Sequence, residues 1–132
     1  MLFRSLIVYL IGGEMSAGVH RIDIEQGGTY SQRFVWKINK NPVDLTGYTA
    51  RMQVRTDGSN RTRPNVTIIS LTDTSGITLG TTDGTIQLDI SATDTSKLIP
   101  GTYSYRLELE SASGFVTRLL TGACYVSPWD VL

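Results

Sequence analysis

The strongest constraint on the fold is a run of alternating side chains at residues 101–110. Apolar or aromatic residues recur at every second position, namely Tyr103, Tyr105, Leu107 and Leu109. The positions between them are polar: Ser104, Arg106, Glu108 and Glu110. A period of two is typical of a β-strand with one buried face. Residues 111–114 form a turn before a second apolar segment, so we expect a hairpin at the centre of a β-sandwich.

The start of this hairpin provides a second signal. Pro100 and Gly101 form a turn shortly before Tyr103. In immunoglobulin-like sandwiches, a tyrosine at the start of a late strand donates its hydroxyl hydrogen bond to the backbone a few residues upstream. The sequence therefore predicts such a tyrosine corner here.

Shorter segments with the same period occur along the rest of the chain. They predict strands at residues 20–25, 29–37, 48–55, 66–71, 77–79, 85–90 and 115–126, separated by turn-forming residues. Ser91 followed by Asp94 is typical of a helix start, and Pro100 ends that helix within two turns. The expected fold class is all-β: a single antiparallel immunoglobulin-like β-sandwich of about eight strands, with one short helical turn and an apolar N-terminal arm.

The first residues do not fit this pattern. We divide the chain into residues 1–16, an N-terminal arm or extension, and residues 17–132, the β-sandwich domain. Residues 6–11 are apolar and follow Arg4, which leaves three interpretations open: an arm that docks on a sheet, an over-extended start ahead of Met15, or a short signal peptide. The signal peptide is the weakest interpretation, because no clear small-x-small cleavage site follows. The apolar run is too short to span a bilayer as a helix.

The chain offers little for catalysis. It has one histidine, His20, and one cysteine, Cys124, which excludes most metal and nucleophile constellations. Cys124 lies in an apolar run, which predicts a buried thiol. The serines and carboxylates form no recognised hydrolase, calcium or phosphate motif. We therefore expect no enzyme activity, no catalytic residue, no metal site and no cofactor.

The charges point to protein contacts. Lysine plus arginine and aspartate plus glutamate number 12 each, so no net field attracts nucleic acid or an anionic membrane. The basic residues concentrate at Arg51, Arg55, Arg61 and Arg63. Because no aromatic residues are interleaved on that face, the pattern favours a solvated or protein-contacting surface over a nucleic-acid site.

Several segments together resemble a known group of proteins. They are residues 22–30, residues 41–55 with Leu-Thr-Gly-Tyr at 45–48, residues 101–109 with Gly-x-Tyr-x-Tyr at 101–105, and residues 119–128. These motifs are similar to those of small immunoglobulin-like proteins from tailed-phage structural gene clusters, which include the N-terminal domain of phage baseplate upper proteins. The resemblance covers roughly Ile22 to Pro128. This sequence has no C-terminal receptor-adaptor region, and it has the apolar N-terminal residues in addition.

The resemblance implies a non-enzymatic structural component of a tailed-phage virion, in the tail or baseplate, the neck or the capsid surface. Its implied partners are other virion proteins and copies of itself, with no nucleic acid and no membrane. The candidate assembly contacts are Leu2, Phe3, Leu6, Ile7, Tyr9, Leu10, Arg61, Arg63 and Trp129. An alternative is a carbohydrate-binding module used in host attachment, in which Tyr9, Tyr125 and Trp129 form an exposed aromatic platform.

Overall fold

The computed structural model describes residues 5–10, 18–56 and 66–128. In chain order the elements are β1 (Ser5–Leu10), β2 (Gly18–Val19), β3 (Ile22–Glu25), β4 (Tyr30–Ile38), β5 (Asn41–Pro42), β6 (Thr49–Thr56), β7 (Thr67–Thr72), β8 (Ile77–Leu79), β9 (Thr85–Ile90), α1 (Ala92–Thr95), β10 (Gly101–Glu110) and β11 (Val116–Ser127). The all-β sandwich expected from the sequence is confirmed.

The strands form two sheets. The first has the order β1-β4-β9-β8, with β5 paired to β4. The second has the order β2-β11-β10-β6-β7, with β3 also paired to β11. The structure has more strands than the sequence predicts. Strands of two residues, such as β2 and β5, are too short to show a period of two in the sequence.

The core lies between the two sheets. Each strand turns alternate residues inward, so β4 buries Phe34 and Trp36, and β6 buries Met52 and Val54. Several large side chains are completely inaccessible to solvent, namely Phe34, Met52, Val54, Ile86, Leu88, Leu107, Leu109 and Leu119. Burying an aliphatic or aromatic side chain contributes roughly 1.5–3 kcal/mol. The apolar alternation in the sequence is therefore used to join the two sheets.

The edges of both sheets differ from the antiparallel arrangement expected. β1 is parallel to β4, while β2 and β3 are parallel to β11. The chain before β4 passes from the first sheet to the second and back, so these strands are not joined to their neighbours by hairpins. A strand that arrives by a crossover can lie parallel to its neighbour. The remaining named strand pairs are antiparallel.

The β10–β11 hairpin lies at the residues predicted from the sequence. β10 lies between β11 and β6 in the second sheet, so it has a hydrogen-bonded neighbour on both sides. At its start the Tyr103 hydroxyl donates to the carbonyl of Ile99, four residues upstream. The predicted tyrosine corner is therefore present, and it fixes the turn that delivers the chain from α1 into β10.

The short helix begins as predicted. The Ser91 side chain caps α1 by accepting a hydrogen bond from the Asp94 backbone N–H at 3.2 Å. Thr95, which is buried, donates its hydroxyl to the carbonyl of Gly28 at 2.7 Å and accepts from the Gly27 N–H at 3.1 Å. These bonds tie the helix to the β3–β4 turn, so α1 closes one end of the sandwich.

Candidate interaction surfaces

Four of the N-terminal candidate contacts belong to a strand at one sheet edge. Ser5–Leu10 pairs in parallel with Arg33 to Ile38 of β4, and this strand includes Leu6, Ile7, Tyr9 and Leu10. The edge of β4 opposite β9 is therefore occupied by the chain's own N-terminal strand. Five further candidates lie outside the described residues: Leu2, Phe3, Arg61, Arg63 and Trp129.

The outer side of the second sheet gathers a cluster of arginines. We call it the arginine face and define it as Arg51 and Arg55 of β6, Arg106 of β10 and Arg118 of β11, together with Glu108 of β10. All four arginines are exposed, because their strands turn the neighbouring residues into the core. Three adjacent strands thus bring together side chains that are up to 67 positions apart in the sequence, counted from Arg51 to Arg118.

Glu108 is the acidic centre of one end of this face. It is directly opposite Arg51 on one side and Arg118 on the other. Its carboxylate accepts from Arg51 Nε at 3.0 Å and lies 4.0 Å from Arg118 Nε. The arginines of these pairs are about half exposed and Glu108 is 20% exposed, and ion pairs near a protein surface contribute about 0–1 kcal/mol to stability. The ion pairs of this face therefore contribute little to the stability of the fold.

At the other end of the arginine face, the positive charges have fewer acidic partners. Arg55 donates to the Gln53 side-chain oxygen at 2.7 and 3.2 Å. Arg106 is opposite Gln53 and Thr121, and its side chain has no hydrogen bond or ion pair with any residue the structure describes. A depression of about 320 Å³ lies over these residues, lined by Arg51, Arg55 and Arg106 among others. Positive charge thus surrounds this open depression.

Half of this face is predicted by the sequence, because Arg51 and Arg55 lie close together in the chain. Arg106 and Arg118 join them only through the cross-strand register of β6, β10 and β11. The outward position of Arg106 was evident from the alternation in β10, and this signal could have nominated it.

The aromatic platform of the carbohydrate alternative is only partly described. Tyr125 is half-buried, and the Arg21 guanidinium carbon lies 4.0 Å from its ring centroid. An arginine stacked on the ring covers a face that a sugar would need. Trp129 and the Tyr9 side chain lie outside what the structure describes.

Cys124 and Tyr105 are buried next to the β2–β3 junction. Cys124 is fully inaccessible, which confirms the predicted buried thiol. Burial raises the pKa of Cys124 to about 12, with a smaller contribution from Asp23. Burial also raises the pKa of the Tyr105 hydroxyl, which donates to the carbonyl of His20. Both groups are therefore protonated at neutral pH, and the thiol is not a nucleophile there.

His20 packs against the core. Its ring meets Phe34 edge to face, with the ring centroids 5.5 Å apart. Burial lowers the pKa of His20, while Asp23 acts in the opposite direction. Within the described residues no group of three potential metal-ligating side chains occurs. Nor does that part of the chain contain a helix long and apolar enough to cross a membrane.

The Cys124 environment predicts how stability changes with pH. Its folded pKa is raised from 9.0 to about 12, so the unfolded chain releases the proton first as the pH rises. The stability linked to this thiol is complete below pH 9 and is lost between pH 9 and about 12, at about 1.4 kcal/mol per pH unit. Urea unfolding across this range should show a shallower decline for Cys124→Ala. An equal decline in both proteins, or rapid labelling of the native thiol at pH 8, would contradict the prediction.

Comparisons with known proteins give the following. No protein-family model matches the sequence, and no curated protein matches it. Among solved structures, the chain is similar to the N-terminal domain of phage TP901-1 ORF48, at 15% identity and a TM-score of 0.47, over 96% of this chain and 99% of that one. It is also similar to auracyanin A, a blue copper protein of Chloroflexus aurantiacus, at 14% identity and a TM-score of 0.41, over 94% and 100%.

A third similar structure is the bradyzoite-specific antigen BSR4 of Toxoplasma gondii, at 10% identity and a TM-score of 0.38, over 91% of this chain and 48% of that one. A domain of a phage protein, the kind of protein that the sequence resembles, is thus among the similar structures. These likenesses concern the fold alone.

Proposed function

We propose that this protein is a non-enzymatic structural component of a tailed-phage virion, located in the tail or baseplate, the neck or the capsid surface. It acts through contacts with other virion proteins and with copies of itself. The sequence resemblance over Ile22 to Pro128 supports the virion context. The sandwich supports the mode of action, because its apolar residues are used between the sheets and its outer faces and edges are left for contacts.

The observation that carries this proposal is the pairing of β1 with β4. An apolar segment ahead of the sandwich forms a six-residue parallel ladder along a sheet edge. The same backbone pattern can form between two copies, because an edge strand accepts any extended segment of matching length. The seven residues between Leu10 and Gly18 span at most about 25 Å, which sets the distance over which an arm can be exchanged.

The location is tested first by mass spectrometry of purified virions. We expect this polypeptide in the particle at a stoichiometry that reflects a symmetric assembly. Its absence from the particle would reject the structural role. Specific binding of the purified protein to a glycan array, together with that absence, would favour the carbohydrate-binding alternative instead.

The arm is tested by deletion and by proline substitution. Deleting residues 1–14 should abolish incorporation into virions. Ile7→Pro and Val8→Pro provide a sharper comparison, because adjacent backbone amides in a strand point in opposite directions. Only one of the two faces β4, so one proline should reduce incorporation strongly and the other should have a much smaller effect. Normal incorporation of the deletion and of both proline variants would reject a role for the arm.

A further inference from the structure

We propose that the arginine face binds a carboxylate-rich segment or surface of a partner protein. This inference rests on the proposed function and deepens it, since it names the chemistry of one partner. It concerns the outer surface of the second sheet, which is separate from the β1–β4 edge in the first. On this surface the arginines are regularly spaced, and the side chains of Arg55 and Arg106 have no acidic partner among the described residues.

The charges are spaced as a small grid. Residues opposite each other on neighbouring strands have Cβ atoms about 5 Å apart, and successive outward residues on one strand are about 7 Å apart. Glu108 and Arg106 are successive outward residues of β10, with Arg51 and Arg118 beside the former. Arg55 is one outward position further along, opposite Ser104. An extended peptide with a carboxylate at every second residue has the same spacing along its length.

The positive charge exceeds the negative charge locally. Four guanidinium groups surround the Glu108 carboxylate, which pairs with Arg51 and Arg118. Arg55 and Arg106 therefore have no acidic partner among the described residues. The nearby acidic residues Asp73 and Glu110 border a second, smaller depression at the Glu108 end. The surplus therefore concentrates toward Arg55 and Arg106. Because the whole chain has no net charge, this surplus belongs to the face and not to the protein as a whole.

The arginines have the hydrogen-bonding capacity that a carboxylate partner needs. Among the described residues, the Arg106 side chain makes no hydrogen bond or ion pair, and the Arg55 side chain bonds only to the neutral Gln53. A guanidinium binds a carboxylate through two parallel N–H donors, which is stronger and more specific than a neutral hydrogen bond. The 320 Å³ depression over them has room for the side chains of such a partner.

The chemistry of the face favours a protein over nucleic acid. Beside the charged residues, the depression is lined by Gln53, Ser104, Thr121 and Tyr105. The Tyr105 side chain is buried, so no lining residue offers an exposed ring for a base to stack on. Glu108 lies in the middle of one row and repels a continuous line of phosphates. A protein partner can instead place a hydroxyl or a cation opposite Glu108 and carboxylates opposite Arg55 and Arg106.

The experiment measures fluorescence anisotropy of a labelled peptide of alternating glutamate and serine against the full chain. We expect binding that weakens with added salt and that is lost in a peptide of alternating glutamine and serine. Arg55→Gln/Arg106→Gln should bind at least about tenfold more weakly. The matched control is Arg33→Gln/Lys37→Gln, which removes the same charge from β4 of the opposite sheet and should bind as the wild type does. Thermal melts confirm that both variants fold.

Four outcomes overturn the proposal. They are no binding by the wild-type chain, equal weakening by the two double variants, stronger binding of a single-stranded DNA oligonucleotide to the same arginines, and self-association that is lost in Arg55→Gln/Arg106→Gln. The last two assign the face to nucleic acid or to a second copy. Peptide binding by a protein that is absent from virions would reject the proposed function and leave this inference standing. A protein that is present in virions but does not bind the peptide would reject this inference alone.

Discussion

Leu107→Ala is expected to lower the free energy of unfolding by about 3–4 kcal/mol, because it leaves a cavity that the two sheets cannot close. Leu107 lies in the middle of β10, has no solvent exposure, and is flanked by paired residues of β6 and β11. The strands on both sides hold the backbone in place, so little relaxation into the cavity is possible. Domains of this size have only about 5–15 kcal/mol in total. Urea titration monitored by circular dichroism measures the loss.

Ser104→Ala is the matched control for this prediction. It lies on the same strand as Leu107, its side chain is exposed, and it should change stability by no more than about 0.5 kcal/mol. A similar, small loss in both variants would show that β10 is not packed at the centre of the sandwich.

Gly84→Ala is expected to cost about 3 kcal/mol, for two reasons that add. Gly84 has a φ of +70°, which costs an L-residue roughly 1–2 kcal/mol. A Cβ atom there would also lie 2.5 Å from the carbonyl oxygen of Trp36, a backbone atom that cannot rotate away. The turn would have to move, and with it the hydrogen bond from the Trp36 N–H to the Gly84 carbonyl, which is 2.9 Å long.

Gly114→Ala separates these two contributions. Its φ is +91°, yet a Cβ atom would meet nothing within 4 Å. It should therefore show only the cost of the positive φ, and the difference between the two variants measures the clash with Trp36. Thermal unfolding provides the comparison, and equal melting temperatures for the two variants would contradict it.

The strands and turns could be predicted from the sequence because each depends on local chemistry. The period of two in β6 and β10 follows from burying one face, and the Asp-Gly pair before β9 ends at Gly84, which has the positive φ that such a turn needs. The Ser91 cap and the Tyr103 corner also connect residues only three or four positions apart. Interactions between residues this close in sequence can be predicted from a single sequence.

The parallel edges and the complete arginine face depend on register between distant strands. Nothing in the residues of β1 indicates that its partner is β4, because an apolar strand fits any free edge. The same holds for the arginine face. Glu108 lies opposite Arg51 and Arg118, with Arg106 on the same strand, only once β6, β10 and β11 are aligned. Side-chain periodicity identifies a face, and it does not identify the neighbours on that face.

The parallel pairing of β3 with β11 has a mechanical consequence. The chain enters β3 at Ile22 and leaves β11 at Ser127, and the two strands run in the same direction, joined at four residue positions. Tension that separates these two points slides the strands lengthwise, so it strains their evenly spaced hydrogen bonds together instead of opening them one by one. A domain pulled through these two strands therefore resists stretching.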